Sequence, residues 1–129
     1  MRGYKMKFEA AQVVCDFGEG NGTLRINPGE LMSISVDAGM DDTKICIVSQ
    51  RRGVHIYTLK ECSSFDIATM LYDLIKIGRP EKLHLDRNGA GIVVKDKLIP
   101  MLSGEELLLT KAGDVIYDID EDQKRFRSN

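Results

Sequence analysis

The chain is predicted to be an α/β protein: a mixed β-sheet flanked by helices. Three observations predict this. Residues 31–59 hold three runs in which apolar and polar positions alternate, the period of half-buried strands. Residues 64–77 carry apolar side chains at helical spacing. A short apolar run, Lys82-Leu-His-Leu-Asp86, follows that helix. A meander joined through a helix to one more strand gives a sheet with both antiparallel and parallel pairs.

With 129 residues the chain has the length of one domain. We divide it into an N-terminal extension, residues 1–30, expected to form a hairpin, and a main domain, residues 31–129. Eighteen Lys and Arg against 20 Asp and Glu give a net charge of −2, which argues against a wholesale basic coat for nucleic acid but leaves room for local basic patches. Aromatic residues are 6% and Trp is absent, so base-stacking platforms are not expected. Cys15, Cys46 and Cys62 are odd in number and widely spaced, which fits neither a disulfide framework nor a zinc motif and predicts a reducing, cytoplasmic setting. No run approaches the roughly 20 apolar residues of a membrane span, and the first residues lack a signal-peptide core, so no membrane association is expected.

Along the chain, residues 1–8 are basic and expected to be loose. Residues 9–15 fit either a short strand or a helical turn. The turn Asp16-Phe-Gly-Glu-Gly-Asn-Gly22 and the run Thr23-Leu-Arg-Ile26 make residues 9–26 a hairpin. Simple alternation over 31–37 places Leu31, Ser33, Ser35 and Asp37 on one face and Met32, Ile34 and Val36 on the other. Gly39 permits the turn, and Thr43–Gln50 is the return strand, with Cys46 expected in the core. Val54–Leu59 is the third strand. Ser63 or Ser64 caps the helix. Its apolar positions are Phe65, Ile67, Ala68, Met70, Leu71, Leu74 and Ile75, and Gly78 and Pro80 end it. A second helix is expected over the run Ile92–Leu98, stopping near Pro100. Leu107–Thr110 and Val115–Tyr117 read as a final pair of strands, followed by a charged tail.

A crossover through the helix sets the strand ending at Asp86 beside the strand ending at Asp37. Two carboxylates at adjacent strand ends are hard oxygen ligands suited to Mg2+ or Mn2+. A pair of such ions activates a water and stabilises a leaving oxygen in phosphodiester cleavage. Asp42 extends this acidic edge. Arg87, Lys95 and Lys97 flank Asp86 as candidate phosphate contacts. His55 and His84 have no partner at ligand spacing and read as structural.

Residues 33–53, from Ser33-Ile-Ser-Val-Asp37 to Arg51-Arg-Gly53, the helix after them and the segment Leu83–Leu98 resemble the C-terminal nuclease domain of phage terminase large subunits. Asp86, Gly89, Gly91, Asp96 and Leu98 match that family's Asp-x-x-Gly-x-Gly and Asp-x-Leu pattern. The resemblance covers roughly residues 31–98. It implies an RNase H-like mixed sheet, a three-stranded antiparallel meander plus parallel strands, and a metal-dependent endonuclease acting on packaged DNA, with Asp37 and Asp86 as its first two metal ligands. Its setting would be the host-cell cytoplasm, with a packaging or other viral protein as a further partner. The family's third acid, on a late helix, has no matching position; Asp114, Asp118, Asp120 and Asp122 supply carboxylates, of which we take Asp120 as the candidate metal ligand. The Gly-x-x-x-x-Gly-Lys-Ser/Thr loop of its motor does not occur, and no nucleotide cofactor is expected. Two further readings stay open. The chain is a non-catalytic RNase H-like module that binds DNA or a protein, or Asp37-Ala-Gly and Asp42-Thr-Lys form the phosphate hairpin of an actin-like ATPase. The last needs two such domains, more than 129 residues hold.

Overall fold

The structure, a computed structural model, describes residues 4–9, 11–18, 21–39, 41–85 and 89–102. The segments expected as strands at 107–110 and 115–117 lie outside these residues. The described chain is α/β, with two sheets and two helices. Strands β1 (Lys5–Glu9), β2 (Gln12–Asp16) and β3 (Thr23–Ile26) form an antiparallel sheet in that order. Strands β4 (Leu31–Ala38), β5 (Asp42–Ser49), β6 (Gly53–Lys60) and β7 (Lys82–Leu85) form a second sheet in the order β6-β5-β4-β7. β4, β5 and β6 are the antiparallel meander, and β7 pairs parallel to β4.

The hairpin expected over 9–26 is present as β2 and β3, but β1 adds a strand where loose chain was expected. Its Met6 and Phe8 alternate with Lys5, Lys7 and Glu9, the period of a strand at a sheet edge. Helix α1 (Ser64–Asp73) starts as the sequence predicts: the Ser63 hydroxyl accepts from the Asp66 backbone N–H at 3.0 Å. Its buried stripe is Ile67, Ala68, Met70 and Leu71, whereas Phe65 is exposed. The last expected turn is a wider, π-helical one, Leu74–Gly78, closed by Arg79 in the left-handed conformation. A Cβ on Gly78 would run into the Leu31 side chain, so glycine lets this turn lie against the start of β4. Helix α2 (Gly89–Met101) buries Gly91, Val94 and Leu98, with Pro100 in its last turn.

The four-stranded sheet has one buried and one open face, and a single slip in register decides which residues lie on each. Leu31 pairs with Ser49 but Ser33 pairs with Val48, so Met32 is an extra, bulged residue. The bulge corrects the simple alternation. Leu31 joins Ile34, Val36 and Ala38 on the buried side, and Met32 turns outward. Ile45, Ile47, Leu59, Leu83 and Leu85 share the buried face. Cys46, expected in the core, pairs with Ser35 and stands half-buried on the opposite face. One continuous apolar cluster joins this face to α1, α2 and the small sheet through Val13, Cys15, Phe17, Leu24 and Ile26.

Two clasps fix the small sheet to the end of the meander. The Arg52 guanidinium donates to the Arg25 carbonyl at 2.5 Å, and the Lys60 backbone N–H donates to Asn21 Oδ1 at 3.1 Å. Arg52 also lies 3.6 Å from Glu30, whose side chain is only 3% exposed. Tyr4, just before β1, donates to Asp73 of α1 at 2.5 Å and packs on Phe17 with ring centroids 5.2 Å apart. Burial pushes the Tyr4 phenol and the Asp73 carboxyl up from their ordinary pKa values.

Candidate functional site

The carboxyl ends of β4 and β7 lie side by side. In the parallel ladder Ile34 pairs with Leu83 and Val36 with Leu85. Asp37 is the next residue of β4. It is exposed, and it falls on the open face because Val36 and Ala38 on either side of it are buried. Open α/β sheets expose ligand-binding residues at this end of parallel strands.

Asp37 has a basic neighbour that the sequence reading did not weigh. It stands opposite Lys44 of β5, and directly opposed residues have Cβ atoms about 4.5–5.5 Å apart. Asp42 begins β5 on the same face, a diagonal neighbour of Asp37 at about 7–8 Å. Asp42 in turn stands opposite Lys60 of β6. The acidic edge is therefore interleaved with two lysines. The signal was available in the sequence: Asp42, Lys44, Thr58 and Lys60 share one parity of their strands.

The turn joining the strands is tightly held. The Gly39 backbone N–H donates to the Asp42 carbonyl at 3.0 Å, and the Glu61 N–H donates to the Asp41 carbonyl at 2.8 Å. A Cβ on Gly39 would stand 2.5 Å from the Asp42 carbonyl oxygen, closer than any side chain tolerates. Asp37 and Asp42 are thus fixed to one rigid hairpin, a footing suited to ligands that must hold a geometry.

Neither a protein-family model nor a curated protein matches the chain.

The remaining candidate residues divide as follows. Asp86, Arg87 and Asp120 lie outside the described residues. Lys95 and Lys97 are on α2, on either side of the buried stripe formed by Val94 and Leu98. They therefore leave the helix on opposite flanks and do not form one patch. Lys97 is exposed, and Lys95 is half-buried and already engaged in an interaction. Among the described residues, no group of three or more His, Cys, Asp or Glu side chains is placed to hold a metal ion. Asp37 and Asp42 are two hard oxygen donors on one face, which fits part of a magnesium or manganese ligand set. His84 of β7 and Cys46 of β5 flank Ser35 on the open face. Among the described residues, no helix is long and apolar enough to cross a membrane.

Proposed function

We propose that the chain is an RNase H-like, metal-dependent nuclease-type protein that hydrolyses phosphodiester bonds of DNA, with Asp37 and Asp86 as its central metal ligands. The observation that carries this reading is the parallel pairing of Val36 with Leu85. Each of these residues immediately precedes one of the two aspartates in the sequence. The sheet order β6-β5-β4-β7, with a meander and then a parallel strand reached through a helix, supports the same reading.

Mg2+ or Mn2+, when bound, would lower the pKa of a water and stabilise the leaving oxygen. The chain's own contribution is positional. Asp37 supplies oxygen ligands from a rigid strand, and Asp42 supplies a second carboxylate from the same hairpin. Lys44, opposite Asp37, would contact a phosphate oxygen of the bound strand. The relation to viral DNA packaging rests on the motif resemblance in residues 31–98.

The test is manganese-dependent nicking of supercoiled plasmid by the purified chain. Asp37→Asn is expected to lower the rate by about 100-fold or more, since even outer partners of metal ligands are worth about 10–100-fold. Absence of manganese-dependent nicking by the wild type contradicts the reading.

The lysines opposite Asp37 and Asp42 favour a second reading. In it the carboxylates are balanced across the ladder by Lys44 and Lys60, and the sheet serves as a non-catalytic module that binds DNA or a protein partner. DNA binding without cleavage, unchanged in Asp37→Asn, distinguishes it.

A further inference from the structure

Strand β1 is the outer strand of the small sheet, paired on one side only among the described residues. All five of its residues are exposed, with Phe8 at 73%. A bare strand edge presents unpaired N–H and C=O groups and is a template for another strand. Proteins usually guard such an edge with Pro, a bulge, short length or charged side chains, Lys above all. β1 has no proline and its register with β2 runs unbroken from Lys5 to Glu9; its guards are its five-residue length and its lysines, and Glu9 gives those lysines an opposite charge in a second copy.

The sequence of β1 is complementary to itself in the antiparallel direction. Centred on Lys7, a two-fold pairing sets Lys5 opposite Glu9 of the second copy, and Met6 opposite Phe8 of the second copy. Both charged pairs are of opposite sign and lie on one face. Both apolar pairs lie on the other, where a methionine sulfur gains from contact with an aromatic ring. Only Lys7 meets its own kind, at the two-fold axis; Glu9, held in its own chain by Arg25 at 2.7 Å and Lys7 at 3.5 Å, is exposed and shares its charge with Lys5 of the second copy.

We propose that β1 is a homodimer interface, through which two copies of the chain join their three-stranded sheets into one six-stranded sheet. The pairing is isologous, as a closed two-fold dimer requires. It lies on the small sheet, whereas the candidate metal edge belongs to the four-stranded one, so it is independent of the proposed function.

The test combines solution mass with cross-linking. The wild-type chain, analysed by light scattering over a concentration series up to about 1 mM, is expected to pass from monomer to dimer. Phe8→Lys, at an exposed position, is expected to remain folded and monomeric throughout. Directly opposed strand residues have Cα atoms about 4.5–5.5 Å apart, within the range a disulfide spans. Under mild oxidation Lys7→Cys is therefore expected to form a covalent dimer well above the wild-type background from Cys46 and Cys62. Lys5→Cys, which faces Glu9 of the other copy, is expected to stay at that background. A wild type that is monomeric at every concentration overturns the proposal, as does equal cross-linking by Lys5→Cys and Lys7→Cys.

Discussion

Leu85 pairs with Val36 across two parallel strands. The two residues are 49 positions apart in sequence, and each directly precedes an aspartate. The ladder that joins them also has a buried underside, since Ile34, Val36, Leu83 and Leu85 are almost fully excluded from water. Packing that fixes these four side chains fixes the level at which the strand ends emerge. Truncating Leu83, Leu→Ala, is expected to cost about 2–5 kcal/mol in unfolding free energy. The same change at exposed Ile92 is expected to cost well under about 1 kcal/mol, and denaturant titration of both variants checks the contrast.

In the proposed reading Lys44, opposite Asp37, repels a divalent cation held there. Its removal is expected to strengthen metal binding. Exposed charges facing each other interact by about 0.2–1 kcal/mol, so Lys44→Gln is expected to tighten Mn2+ binding by about 1.4- to 5-fold, read by calorimetry. Through the phosphate contact proposed for Lys44, the same variant is expected to weaken DNA binding, which a filter assay at two salt concentrations separates from the metal effect.

The Arg52 clasp is a stability prediction. Glu30 is buried, one of its oxygens accepts from the Asn27 backbone N–H, and the other has no hydrogen-bond partner. Arg52→Ala leaves that carboxylate without its counter-charge and is expected to cost about 1–3 kcal/mol. Glu30→Gln removes the buried charge together with the attraction, and is expected to cost less. Thermal melts of the two single variants test the order.

Asp73 gives a pH prediction with a defined sign. Burial, the dominant cause, raises its folded pKa above the ordinary carboxylate value, against the opposing pull of the Tyr4 hydrogen bond and Lys76. The folded state then holds the proton more tightly than the unfolded state. The contribution of Asp73 to stability is complete below the unfolded pKa and is lost as pH rises through the folded one. Asp73→Asn keeps an acceptor for Tyr4 and removes the titration. The stability of the wild type relative to this variant is therefore expected to fall as pH rises from the unfolded carboxylate value, about 3.9, through the raised folded one, measured by urea unfolding across that range.

The cysteines should differ in reactivity. Cys15 is fully buried and its thiol is pushed up to about 11, chiefly by burial, whereas Cys46 and Cys62 are partly exposed. Native chain is expected to take up two equivalents of an alkylating reagent quickly and the third only on unfolding, followed by mass spectrometry.

The sequence made the meander and α1 legible because each repeats one period over many residues: two along 31–59, and 3.6 along 64–75. The neighbour relation of β4 and β7 followed from connectivity alone. What stayed hidden was local. A single bulged residue, Met32, reverses the face of Leu31, and nothing in Leu31-Met-Ser-Ile distinguishes it from plain alternation. Cys46 looked like core because it is apolar in an apolar run, yet its parity puts it with Ser35. β1 was obscured by its lysines, which hide the Met6 and Phe8 alternation. In β6, Val54 and Ile56 are 63% and 67% exposed, so an apolar alternation there does not mark the buried face. At the candidate site, Asp37 and Asp42 were readable from the turn chemistry, while Lys44 and Lys60 required the register between strands.

A manganese-soaked crystal, with the ion located by its anomalous signal, tests the shared metal site most directly. The predicted result is an ion at the carboxyl ends of β4 and β7, held by oxygens of both Asp37 and Asp86 at about 2.1 Å. A crystal saturated with Mn2+ that shows no ion there, with Asp37 paired instead to Lys44, would contradict it.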